Sequence, residues 1–242
     1  MSLTQEGEKL YLASKKMLEA AEAGLDAVSG NTEQPSGRLS ISIASILGRS
    51  GLMDAVASFS VLYPKVKLNI QFSDKRAELI QDGFDMAIRI GTLQDSSLKA
   101  KKLFNFERKL VASPSFISGK RKPLKLNDLE EWPWIGLEML SSTRTFKNTS
   151  GKKKSLKFQA SIIVDSVDAA CQLALAGAGV ASPPDFLVQE HLRSGKLVEL
   201  LPAWKMDPLN VYAVWPQNIS NTNLASKFRH ELLKLKKNTN AE

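Results

Sequence analysis

One cysteine, Cys171, and two histidines, His191 and His230, leave this 242-residue sequence almost without the side chains that bind transition metals or form disulfides. A lone cysteine excludes an internal disulfide. Its neighbours Ala169, Ala170, Leu173 and Ala174 give it the setting of a small packed hydrophobe. Without a Cys or His cluster no zinc site is expected, and two histidines offer little general-base capacity near neutral pH. No apolar run approaches the roughly 18–20 residues of a membrane helix. The N-terminus lacks the charged, apolar and small-residue regions of a signal peptide, so a cytoplasmic location is the default expectation. There is no G-x-S-x-G elbow, no phosphate-cradling glycine loop and no run of metal ligands. The sequence therefore reads as a non-enzyme with no cofactor.

What is present is charge of one sign. The formal net charge is +8, and the excess is local: Lys99 to Lys157 holds fifteen lysines and arginines against five acidic residues. Such a segment either attracts DNA or anionic ligands or forms a solvated, lysine-rich face. Lys152-Lys153-Lys154, after Ser150-Gly151, reads as a loop, and no aromatic residues interleave there as on a single-strand-binding surface.

Hydrophobic periodicity organises the rest. Thr4 is a candidate N-cap for a helix running to about Val28, with Leu10, Ala13, Met17, Ala21, Gly24 and Val28 in a heptad-like stripe suited to a partner helix. Ser29 to Gly37 is rich in loop formers and reads as a linker. Strands are expected at Leu39–Ala44, Val66–Phe72 and Asp85–Ile90, with helices at Gly51–Tyr63 and Ala77–Asp82 between them: a doubly wound α/β pattern. Further on, the pattern predicts a long strand over Leu103–Pro114, a short helix at Leu126–Glu131, and a strand at Trp134–Leu137. The loop after that strand holds Ser142, Thr143 and Arg144. Then come a strand at Ser161–Val164, a helix from Val167 to Ala176 stopped by Gly177-Ala178-Gly179, a strand at Val180–Ser182, a helix at Phe186–Arg193, strands at Lys196–Leu201 and Leu209–Trp215, and an amphipathic helix at Leu224–Lys236.

Six segments, in order, resemble the LysR-type transcriptional regulators. Leu3-Thr4-Gln5-Glu6-Gly7 resembles the family's LT-x-x-G, and Gly37-Arg38-Leu39-Ser40-Ile41 its G-x-L-x-I. Phe59 through Tyr63-Pro64-Lys65-Val66 resembles F-x-x-x-Y-P-x-V. Gly83 to Gly91 resembles G-x-D-x-A-I-R-x-G. Gly177-Ala178-Gly179-Val180 with Pro183 resembles G-x-G-I-x-x-x-P, and Gly195-Lys196-Leu197-Val198 resembles G-x-L-V. Each is weak alone; their order and spacing make them specific together. In two respects the chain departs from the family. It contains no winged helix-turn-helix ahead of the Leu-Thr pair, and Ser182 stands where an aliphatic residue commonly precedes proline.

The resemblance implies an α/β, two-lobed type 2 periplasmic-binding-protein-like fold preceded by a long linker helix. In that scheme residues 1–30 are a linker or dimerisation helix and 31–36 a linker. Residues 37–112 and 213–242 form effector-binding lobe I, and 113–212 form lobe II. The implied function is effector sensing and oligomerisation in a bacterial regulator; a transport solute-binding protein of the same fold is the alternative. Implied partners are a small-molecule effector, a carboxylate or other anion, in the interlobe cleft; a second copy in a homodimer or homotetramer; and promoter DNA through the helix-turn-helix not contained here. No membrane is implied. Ligands of such folds sit beyond the carboxyl ends of strands, which nominates Ser45, Ile46, Leu47, Ser73 and Thr92 in lobe I and Ser142, Thr143, Arg144, Asp165 and Ser166 in lobe II. Hydroxyls and amides at helix N-termini favour anions, and Arg144 can pair with a carboxylate. Ser45 and Ser166 equally suit helix capping; Asp165 suits capping and would repel an anion. Arg89 fits either a structural ion pair or the cleft wall.

Overall fold

Leu39, Ile41 and Ile43 alternate with Ser40 and Ser42, and both sets are buried, which is the environment of a central strand covered on two faces. In the computed structural model this segment is β1, Gly37–Ile43. The structure describes residues 35–74, 82–91, 98–120, 123–216 and 223–238, and, of the leading segment, residues 4, 6–7, 9–11, 13–14, 17, 20–21 and 24.

The chain packs as two compact units, residues 1–104 with 210–242, and residues 105–209. The first is built on a five-stranded sheet in the order β2-β1-β3-β12-β4, where β2 is Val66–Phe72, β3 Met86–Ile90, β4 Leu98–Phe106 and β12 Leu209–Pro216. β1 runs parallel to β2, with Leu39 opposite Leu68 and Ile41 opposite Ile70, and parallel to β3. β12 returns antiparallel to β3. Helix α1, Leu52–Leu62, turns its buried Leu52, Ala55 and Phe59 inward. There Phe59 meets Phe228 of the C-terminal helix edge to face, 5.0 Å between ring centres. In the leading segment every described residue from Glu6 to Gly24 is helical, and Thr4 Oγ1 accepts the Gly7 N–H at 3.1 Å, the cap its position predicts. Val28, residues 29–34 and the helix expected at Ala77–Asp82 fall mostly or wholly outside the described residues.

The second unit gathers around Trp134, fully buried, whose indole N–H donates to the Leu129 carbonyl at 2.8 Å and whose ring stacks on Phe158 at 4.1 Å. Trp134 opens β6, Trp134–Leu137, which pairs in parallel with β9, Ala160–Val164. Two short strands, β5 (Val111–Ala112) and β10 (Val198–Glu199), pair antiparallel. A third sheet, in the order β11-β7-β8, joins Trp204–Met206, Thr143–Asn148 and Lys153–Lys157. Helix α2 is a single turn, Pro114–Ile117, while α3, Val167–Leu175, and α4, Asp185–Arg193, are longer; α5 is the C-terminal Asn223–Asn238.

Several expectations are corrected. The long strand over Leu103–Pro114 is broken. β4 ends at Phe106, and Lys109 and Val111 then donate their amides to Pro183 and Ala181 in the second unit, after which α2 begins at Pro114. The compact units divide at 104/105 and 209/210. Thr143 and Arg144 belong to a strand, not a loop, and Lys153-Lys154 open its partner. The strand expected at Lys196–Leu201 shortens to two residues. Among the described residues no helix is long and apolar enough to cross a membrane.

The stop after α3 is a Schellman arrangement: Ala178 N–H reaches Leu173 O at 3.0 Å and Gly177 N–H reaches Ala174 O at 3.1 Å, with Gly177 at φ +87°. At Gly179 a β-carbon would stand 2.6 Å from the Pro133 carbonyl oxygen. Gly177→Ala is expected to lower stability by about 1–2 kcal/mol through its left-handed backbone, and Gly179→Ala by about 1–3 kcal/mol through overlap. Denaturant unfolding followed by tryptophan fluorescence checks both; unchanged midpoints would contradict this reading of the turn.

Candidate functional site

Each unit carries one polar cluster at strand ends. In the first unit the parallel strands β1, β2 and β3 all end on one side, and their last residues are tied together: Ala44 N–H donates to Ile88 O at 3.0 Å and Ser73 N–H to Ile43 O at 2.9 Å. Arg89, on β3, reaches across this edge. Its Nη2 donates to Ser42 Oγ at 2.7 Å and its Nη1 to the carbonyl of Ser73 at 3.4 Å. Burial pushes this guanidinium below its ordinary pKa, and Asp74 partly offsets the shift. Asp74 also accepts the Ser45 N–H at 2.9 Å.

This arrangement sorts the lobe I candidates. Ser45 and Ser73 are brought together through Asp74 and Arg89. Ser45 is exposed, and its hydroxyl has no protein partner among the described residues. Its amide, the donor an anion would want, is already taken by Asp74. Ile46 and Leu47 are buried in the core. Leu47 has both backbone groups engaged as well, its N–H on Ala44 and its carbonyl on Ser50, so it has no group left to offer a ligand. Thr92 lies outside the described residues. Arg89 spends its donors on the Ser42 hydroxyl and on the Ser73 and Ile88 carbonyls at this end of the sheet.

In the second unit Arg144 is the centre. Its β7 position faces inward, opposite Leu156, and it is only 5% exposed. The guanidinium lies over the Phe158 ring at 5.2 Å, donates from Nε to Ser182 Oγ at 3.4 Å and from Nη1 to the Thr143 carbonyl at 3.2 Å, and also contacts the Ser141 carbonyl. A second guanidinium stands nearby. Arg108 pairs with Pro184 across a backbone bridge, two residues beyond Ser182, and donates from Nη2 to the Asp207 carbonyl at 3.4 Å. Its Nε is buried without a hydrogen-bond partner among the described residues. Burial, followed by the like charge of Arg108, pulls the Arg144 pKa down to about 10; burial also lowers that of Arg108, partly offset by Asp207. Among the described residues neither forms an ion pair. Two cations in a partly dry setting, one with a free donor, form a cluster that a bound anion would relieve.

The other lobe II candidates separate from it or attach only loosely. Ser142 gives its carbonyl to the Phe158 N–H at 3.0 Å and lines a shallow depression with Glu130, Lys157, Phe158 and Ile163. Thr143 points outward, opposite Lys157. Ser166 caps α3, its Oγ accepting the Ala169 N–H at 3.2 Å. Asp165 is exposed beside it. No hydrogen bond or ion pair joins Asp165 or Ser166 to Arg144 among the described residues. Arg108, Ser182 and Ser42 were not nominated from the sequence. The one signal for them was Ser182, a hydroxyl where an aliphatic residue is commoner.

Comparison with known proteins adds four findings. A family model described as the LysR substrate binding domain matches residues 32–236. The HTH-type transcriptional regulator PtxR of Pseudomonas aeruginosa is 33% identical over 218 residues, covering 89% of this chain and 70% of that protein. The regulatory domain of CrgA, a LysR-type transcriptional regulator from Neisseria meningitidis, superimposes with TM-score 0.70 at 26% identity, covering 83% of this chain and 99% of that one. The full-length virulence activator AphB of Vibrio cholerae shares the fold, with TM-score 0.72 at 22% identity over 97% of this chain and 81% of that one. The fold is thus the α/β periplasmic-binding-protein-like one expected from the sequence.

Arg144→Met keeps most of the stem and removes a charge opposed by burial and by Arg108. In buffer free of added anions its unfolding free energy is expected within about 1 kcal/mol of the parent. A loss of about 3 kcal/mol or more would mark Arg144 as a structural tie instead.

Proposed function

The chain belongs to the LysR family of transcriptional regulators, and we propose that it is the effector-sensing and oligomerising region of such a regulator, responding to a small carboxylate or similar anion. The observation that carries the anion class is the Arg108–Arg144 pair, two guanidiniums that form no ion pair among the described residues, Arg108 being only partly offset by Asp207. In this reading Arg144 pairs with the effector, Arg108 supplies the free Nε–H, and Ser182 orients Arg144. Ser45, Ser73 and Arg89 form the lobe I contribution. Ligand acts by binding one of two states better than the other, with DNA contacted through the family's helix-turn-helix. A cytoplasmic location accompanies this role.

Self-association is supported by apolar surface. Leu10 and Met17 of the leading helix are 69% and 72% exposed, on the same heptad stripe as the exposed Ala13, Ala21 and Gly24. A helix whose apolar stripe faces water buries it by pairing with another.

Thermal denaturation against a panel of small carboxylates tests the effector class. A ligand at about 100 times its Kd is expected to add roughly 2.7 kcal/mol of stability. Arg144→Met should abolish that gain, and Ser45→Ala should weaken it, with neither unfolding the chain. A parent protein that no carboxylate or other small anion stabilises would count against this function. Light scattering tests the assembly: a dimer or larger is expected, with Leu10→Asp/Met17→Asp reduced to monomer. A strictly monomeric parent would instead favour a transport solute-binding role.

A further inference from the structure

The sheet β11-β7-β8 has an inner face of Phe146, Leu156, Met206 and Arg144, all buried, and an outer face of different composition. Side chains alternate across a strand, so the outward residues are Thr143, Thr145 and Lys147 on β7, Lys153, Ser155 and Lys157 on β8, and Lys205 on β11; all seven are exposed. The register sets Lys147 directly opposite Lys205 on one side and Lys153 on the other, a row of three lysines across three strands. Like charges directly opposite one another destabilise a sheet. Only Lys205 of the four outward lysines has an ion pair among the described residues, a 3.5 Å surface contact with Glu107. The hairpin tip is held in place: Asn148 Oδ1 accepts both the Lys152 N–H and the Ser150 hydroxyl at 2.8 Å.

We propose that this face docks on the phosphate backbone of duplex DNA, independently of base sequence. The inference rests on the family membership only in that a regulator of this kind is brought to DNA. The chemistry is on the sheet. Lysine ammonium groups and Thr/Ser hydroxyls are the side chains that position a protein on phosphates without reading bases. The outward positions of the three strands carry no aromatic, apolar or acidic residue, so they lack the anchors of a protein–protein interface core. The row of opposed lysines is a local loss of stability that a polyanion reverses.

Fluorescence anisotropy of the 242-residue chain with a duplex of arbitrary sequence, titrated across salt without effector, tests this face apart from the anion site. Four lysine contacts predict a slope of log K against log salt of about −3 to −4. Lys147→Glu/Lys153→Glu should weaken binding by about ten-fold or more and flatten that slope by about two. Lys99→Glu/Lys101→Glu, the same change in net charge on exposed β4 positions of the other unit, should weaken it by less than about three-fold. Lys147→Glu alone should raise the melting temperature, because it sets opposite charges against Lys205 and Lys153; a merely solvated surface lysine gives no paired gain in stability and loss of DNA affinity. If the double Glu variant fails to fold, Lys147→Gln/Lys153→Gln is read in the same way. Unchanged duplex binding by the folded variant, an equal loss in the β4 control, or tighter binding to poly-glutamate than to duplex would overturn the proposal.

Discussion

Arg144 is a guanidinium taken out of water with no carboxylate to meet it among the described residues, and the chemistry of the second unit depends on that constraint. Arg144 is stacked on Phe158, which is in turn stacked on the buried Trp134, so the charge sits on the core of the second unit and not on a mobile surface arm. Its hydrogen bonds run to carbonyls and a hydroxyl, partners that satisfy donors without cancelling charge. Arg108 adds a second positive charge and an unused buried donor. Such an arrangement is unfavourable until an anion completes it, and a sensor needs a site whose energy differs between filled and empty states.

The excess of positive charge has two structural settings within the same unit. The arginine pair, Arg144 buried and Arg108 half-buried, is small, directional and suited to one ligand. The outer face of β11-β7-β8 is broad, hydroxyl-rich and suited to a repeating polyanion. β7 connects them: Arg144 and Phe146 point inward while Thr143, Thr145 and Lys147 point outward. The first unit has a different character: its one guanidinium at the strand ends, Arg89, is partly offset by Asp74 and has no second guanidinium opposing it among the described residues, whereas Arg144 is opposed by the like charge of Arg108.

Much of the first unit was legible from residue order. Val66–Phe72 and Met86–Ile90 alternate or run apolar between clear turn signals, and Tyr63-Pro64 ends its helix where proline geometry requires. Gly177 and Gly179 were readable as a helix stop and a tight turn; the left-handed backbone at Gly177 and the close Pro133 carbonyl at Gly179 are what the structure adds. The β7–β8 hairpin was not legible, for a specific reason. One of its inward positions is Arg144, so the apolar alternation that marks a strand is reduced to Phe146 and Leu156 among lysines, threonines and serines. The break at Phe106 was hidden in the same way, because the extended segment from 103 to 112 keeps its local pattern while changing pairing partners. Of the nominated site residues, Arg144 gained partners that no spacing could reveal: Ser182 lies 38 positions away in sequence.

In the proposed sensing role the two arginines of the second unit hold a small anion between them. The most direct measurement is NMR of the arginine Nε–Hε resonances, assigned through single Arg108→Lys and Arg144→Met variants, during titration with a small carboxylate. The Arg108 and Arg144 signals are expected to shift together and saturate at one common affinity, while those of the exposed Arg38 and Arg49 stay still. Movement of the exposed arginines alone, or no saturable movement of Arg108 and Arg144 with any small anion, would contradict it.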